Sequence, residues 1–190
     1  MDKKVIEIFI SEIDSVLQHI GFKYVKTRNV WERKVGNTDI EWVHFNYGLS
    51  VINISLGVKY KDLSDIISSD IACVSGVACM LSKITNEMYT ESTKPQYLAD
   101  TISQFAPAQL AKLRDRYWVI ERLKDENVNN WPVLSMSHRI RLLPLLLAKH
   151  VSLDETLKYL AYFDTEFSVK DQLIPKYSIF KNSLIEHLNA

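Results

Sequence analysis

The chain has 190 residues, of which 47% are apolar and 24% charged, with five glycines and five prolines. This is the composition of an ordinary globular domain and excludes a disordered, collagenous or loop-dominated chain. Net charge is zero, and residues 1–95 (11 basic, 12 acidic) are as balanced as residues 96–190 (12 and 11), so bulk electrostatics makes no case for nucleic acid or an anionic membrane.

Residues 3–20 open the chain with Val5, Ile6, Phe9, Ile13, Val16, Leu17 and Ile20 at three- and four-residue steps, which predicts an amphipathic helix. Gly21 offers the left-handed conformation that ends a helix, and Phe22 can pack back on the last turn. Glu7, Glu12 and Asp14 interrupt the apolar stretch, so it is no signal-peptide core.

Strand signals follow over Phe22–Lys26, Asn29–Val35, Ile40–Tyr47 and Ser50–Val58. Turn residues Gly36-Asn37-Thr38-Asp39 separate the second and third, and Gly48 marks the next reversal. Short connections make neighbouring strands antiparallel, so an antiparallel meander of three to four strands is expected. Ile52, Ile54, Leu56 and Val58 share the face that belongs against the first helix. On the third strand Trp42 falls on a face with Ile40, His44 and Asn46, which is otherwise largely polar. Two accounts suit it: burial under later helices, or a partner surface formed with His44, Asn53 and Ser55.

Beyond residue 61 the pattern turns helical. Helices are expected over Ile71–Ile84, Gln96–Phe105, from Pro107 to about Asp125, and over Ser137–Lys149. Ser152-Leu-Asp-Glu155 is a capping box that starts another. Ser168–Asp171 offers a further cap, and Pro175 opens a last helix to about Leu188. The expected fold class is α+β: an N-terminal helix on an antiparallel sheet, then a C-terminal helical segment. It forms a single domain over 1–190, divided at residue 61. The apolar run Leu142–Ala148 is far too short to span a bilayer.

Catalytic and cofactor motifs are missing. The five histidines are widely spaced, with no HExxH, and Cys73 and Cys79 form neither a zinc motif nor a disulfide framework. Asp125-Glu-Asn-Val-Asn-Asn130 imitates a calcium loop, but Asn130 replaces the turn glycine and Met136 the bidentate carboxylate, so it reads as a polar turn. Ser178-Ile-Phe-Lys181 has S-x-x-K spacing without companion motifs. No glycine-rich phosphate loop occurs. Glu32 and Glu41, flanked by Lys26, Arg33 and Lys34, read as cross-strand ion pairs on a wet face. Lys112–Lys124, with Arg139 and Arg141 beyond it, reads as paired charges on a solvated helix, the alternative being a basic groove.

The sequence Gly21-Phe22, Trp31-Glu-Arg33 and Ile52-Asn-Ile-Ser-Leu56-Gly57-Val58 resembles the DUF4304 group of small bacterial proteins of unknown function. The likeness covers the N-terminal strands and helix, but Phe45-Asn-Tyr-Gly48 stands where that group has Gln-Lys-Ser. The resemblance implies a bacterial α+β domain without assigned enzymology, and some such domains look like immunity proteins.

The expectation is therefore a cytoplasmic, non-enzymatic protein-binding module, an immunity or accessory protein that occludes its partner. It needs no metal or cofactor and binds neither nucleic acid nor membrane. Its contact residues would be Trp42, His44 and Asn53, with Glu32 and Glu41 facing a basic target. The alternative is a small-ligand binder or enzyme with His44, His138 and Glu121 between sheet and C-terminal helices. A homo-oligomer using the sheet edge or an exposed helical face is a third option.

Overall fold

The computed structural model describes residues 2–63, 66, 76–133, 135–167 and 174–189. The fold is α+β, with two compact units that interleave in sequence: residues 1–59 with 78–114, and residues 60–77 with 115–190.

In the first unit, helix α1 (Lys3–His19) starts on Asp2, whose carboxylate accepts from the Lys4 backbone. Gly21 ends it at φ +87, while Gly21 and Phe22 donate backward to the Gln18 and Leu17 carbonyls. This is the closure expected of a left-handed glycine past a helix end. Strands β1 (Lys23–Val25), β2 (Val30–Val35), β3 (Asp39–Gly48) and β4 (Val51–Tyr60) form the meander. Asn29 takes a left-handed conformation between β1 and β2, which asparagine tolerates better than most residues.

The β3–β4 reversal falls one residue later than expected. Gly48 stays in the strand, and Leu49 and Ser50 form a two-residue loop with φ of 52 and 62. Positive φ at both central positions matches the twist of a two-residue hairpin, so register governs here over side-chain preference.

The interior face of the sheet buries Trp31, Val43, Phe45, Ile52, Ile54, Leu56 and Val58. Phe9, Ile13 and Leu17 of α1 are fully buried, with the Phe9 ring 6.2 Å from Phe45. Trp31 donates its indole N–H to Asp14 at 2.9 Å, tying β2 to α1 by a polar link. Each such apolar side chain contributes about 1.5–3 kcal/mol of transfer free energy.

Residues 71–84 depart from the helix expected there. Gly76–Met80 is strand β5, and Leu81–Thr85 is a one-turn helix, α2; residues 71–75 lie outside the described residues. Short apolar runs of small residues fit strand and helix equally, and here sheet pairing decides. Strand order is β1-β2-β3-β4-β5, and the short β6 (Tyr89–Thr90) pairs with the start of β4. Helix α3 (Pro95–Arg114) then runs through Pro107 without the expected break and packs along α1. Its buried stripe, from Leu98 through Ala106 to Leu113, continues past the proline and outweighs the lost backbone bond.

The real interruption is at Asp115, whose side chain accepts from the Tyr117 and Trp118 backbones and begins α4 (Arg116–Lys124). This opens the helical part of the second unit. Helix α5 (Met136–His150) is buried almost all round, Arg139 and Pro144 included, as befits a central helix. It packs against α4, α6 (Leu153–Phe167) and α7 (Ile174–Leu188). Ser152 caps α6 as expected, accepting from the Glu155 backbone, and α7 begins within a residue of Pro175. The cap expected at Ser168–Asp171 lies outside the described residues. Among the described residues no helix is long and apolar enough to cross a membrane.

Candidate functional site

The outer face of the first unit's sheet carries an open cleft of about 370 Å³. Alternation builds it. Strand β2 presents Val30 and Glu32, β3 presents Ile40, Trp42 and His44, and β4 presents Lys59; Arg28 from the preceding turn completes the lining. The register sets Glu32 opposite Trp42 and Val30 opposite His44. Val30, Ile40 and Trp42 supply apolar surface, and the charges lie around them.

Trp42 is half-buried. Neither Trp42 nor His44 nor Lys59 has a hydrogen-bond or ion-pair partner among the described residues. Glu32 does have one: Arg28 reaches it at 3.1 Å across one turn of chain. Asn53 shares this side of the sheet on β4 but lies outside the cleft lining.

Glu41 corrects the sequence expectation. It has 0% exposure and faces the interior with Val43 and Phe45. Its partner across the β2–β3 ladder is Arg33, whose Nε donates to Glu41 Oε2 at 2.9 Å, while Arg114 Nε lies 3.0 Å from Oε1. Arg33 also donates to the Ile20 carbonyl at the end of α1 and stacks on the Phe22 ring. The ion pair predicted for Glu41 thus forms, but in the core and not on a wet face. A carboxylate without solvent cannot greet a basic partner. The parity of Glu41 with Val43 and Phe45 was the signal for this placement.

The residues of the ligand-site alternative have structural commitments. His138 Nε2 donates to the Gly76 carbonyl at 2.8 Å, and burial holds its pKa below the ordinary histidine range. Glu121 is exposed and pairs with Lys124 at 3.2 Å. Ser178-x-x-Lys181 has its lysine paired with Asp164. Cys79 is a free thiol pushed up to about 11 by burial, well away from a reactive thiolate. Cys73 lies outside the described residues, among which no group of three or more metal-ligating side chains gathers. In the basic stretch Lys112–Lys124, Arg114, Arg116, Arg122 and Lys124 make internal contacts. Arg116 meets Asp62 at 3.2 Å over the Tyr60 ring, and Arg122 lies over Trp118.

Sequence reasoning missed a second concavity, in the second unit, of about 180 Å³, lined by Lys124, Glu126, Arg139, Lys158, Tyr159 and Tyr162. Arginine at 139, beside Ile140 and just ahead of the apolar run Leu142–Ala148, was the available signal. No family model, curated protein or solved structure matches the chain.

Proposed function

We propose that the chain is a non-enzymatic binding protein that seats a partner protein on the Trp42 face and works by occlusion. The observation that carries this reading is the tryptophan itself: half-buried, flanked by the unpaired His44 and Lys59, on a sheet pinned from behind by α1. Aromatic residues on rigid, partly apolar surfaces contribute disproportionately to protein association. The charges select the partner's chemistry. Glu32 is neutralised by Arg28, and Lys59 has no carboxylate partner among the described residues, so the matching segment carries an apolar side chain for Trp42 and a carboxylate for Lys59. An acidic target replaces the basic one expected when Glu41 was assigned to the surface. A bacterial immunity or accessory role, suggested by the DUF4304 likeness of the N-terminal segment, is the biological form of such occlusion.

The test uses the whole chain as bait beside its Trp42→Ala and Lys59→Glu variants. A protein retained by the wild type and released by both variants, with their circular dichroism and melting unchanged, supports the reading. A protein held equally by all three baits overturns it.

A further inference from the structure

Arg139 sits on the central helix α5 with 3% exposure, and no carboxylate among the described residues lies within ion-pair distance of it. Its Nε donates to the Leu123 carbonyl at 2.6 Å, at the end of α4. Its guanidinium lies 4.3 Å from the Trp131 ring centroid and 5.2 Å from that of Phe163, and Met136 sulfur is 4.0 Å from Nη1. One carbonyl, one thioether and two ring faces touch the cation, Tyr162 adds a side-chain hydrogen bond, and the Glu166 carboxylate acts on it from beyond ion-pair distance. A desolvated cation without a carboxylate in direct contact is costly, and arginine does not escape by losing its proton. Burial accordingly pulls its pKa below the ordinary arginine range, with Tyr162, Tyr159 and Glu166 opposing the shift.

The cavity beside it gathers two more cations. Lys124 and Lys158 line it with Arg139, against one lining carboxylate, Glu126. Glu155 stands behind the lysines, 3.3 Å from Lys158 and 3.7 Å from Lys124, and Glu121 is 3.2 Å from Lys124. The lysines are thus already positioned by carboxylates, whereas Arg139 is not. Tyr159 and Tyr162 supply an aromatic wall with hydroxyl groups. At about 180 Å³ the space is below the roughly 300–1,000 Å³ of drug-sized sites, so its occupant is small.

We infer that this cavity in the second unit binds a small phosphate-bearing molecule, its dianionic group set against Arg139 and flanked by Lys124 and Lys158. A dianion can draw on Arg139, Lys124 and Lys158 together, against Glu126 in the lining and Glu155 and Glu121 on the lysines, and a guanidinium offers paired donors matched to phosphate oxygens. The inference is independent of the Trp42 face.

Calorimetric titration of the full chain with phenyl phosphate, inorganic phosphate and benzoate tests it. Saturable binding of phosphate, with benzoate at least about tenfold weaker, is expected, since phosphate makes an additional charge-assisted pair. Tighter binding of phenyl phosphate than of inorganic phosphate assigns an organic ester that uses the tyrosine wall; equal affinity assigns free phosphate. Arg139→Met should abolish binding. Because Arg139 also holds the end of α4, Lys158→Ala and Tyr162→Phe supply variants at exposed positions that leave the fold intact, and each should weaken binding about two- to fivefold. No saturable binding of either phosphate below about 10 mM overturns the inference. So does benzoate binding as tightly, or affinity unmoved by both exposed variants.

Discussion

The two faces of one sheet put the same residue types to opposite uses. On the interior face Trp31 is wholly buried with its indole N–H on Asp14, and Glu41 is wholly buried between Arg33 and Arg114. On the outer face Trp42 is half-buried with no polar partner, and Glu32 pairs with Arg28, a side chain 60% exposed. Neighbouring residues on one strand, Glu41 and Trp42, land in different solvents. Residue type therefore says little about role in a two-sided sheet until the facing layer is known. The burial of Glu41 stabilises the fold only as part of its ion pairs, whereas the partial exposure of Trp42 leaves its area free for another molecule.

The tryptophans separate the faces most sharply. Trp31→Ala removes a filled core site and should cost about 3–5 kcal/mol in urea unfolding. Trp42→Ala should cost about 1 kcal/mol or less. Equal losses would erase the distinction between the faces and remove Trp42 from any binding role. The glutamates repeat the contrast at smaller scale. Glu41→Gln leaves Arg33 and Arg114 without their anion; both are partly exposed and rehydrate, so the loss should be about 2–3 kcal/mol, near the lower end for a buried pair. Glu32→Gln should stay within about 0.5 kcal/mol. A thermal or chemical melt of the two variants side by side decides this.

Buried titratable groups extend the comparison to the second unit. Burial holds His138 and His150 below the ordinary histidine pKa; Asp62 opposes the shift at His150, while Arg116 reinforces it. Both side chains therefore prefer the neutral form when folded. That preference is fully present above the unfolded value of about 6.5 and is lost as pH falls through the lowered folded values. Melting temperature should drop as pH is lowered from about 7 to about 5, and His138→Gln, which keeps a donor for the Gly76 carbonyl, should flatten part of that slope. An unchanged slope would place the proton uptake elsewhere.

The smallest effect concerns the hairpin tip. Leu49 is fully exposed at φ 52, a conformation that costs a leucine about 1–2 kcal/mol and returns no packing. Leu49→Asn with Ser50→Gly suits the loop and should raise stability by about 1 kcal/mol. A lower stability would mean that the register depends on Leu49 itself.

Local pattern sufficed for much of the fold. The α1 stripe, its Gly21 stop, the alternation of four strands and the Ser152 cap are written in residues within a few positions of one another, where 3.6- and 2-residue periods act. It failed where local signals were ambiguous: Gly76–Met80 is as good a helix as a strand until β4 offers it hydrogen bonds, and Pro107 breaks a helix only if nothing packs across it.

For the candidate sites the sequence by itself determined which side chains share a face, because alternation along a strand is a property of the backbone. Only the tertiary structure decided what each face meets: α1 over Glu41 and Trp31, an open cleft beside Trp42, and a buried guanidinium facing two tyrosines. Burial depends on contacts between residues far apart in the chain, and no local period encodes those.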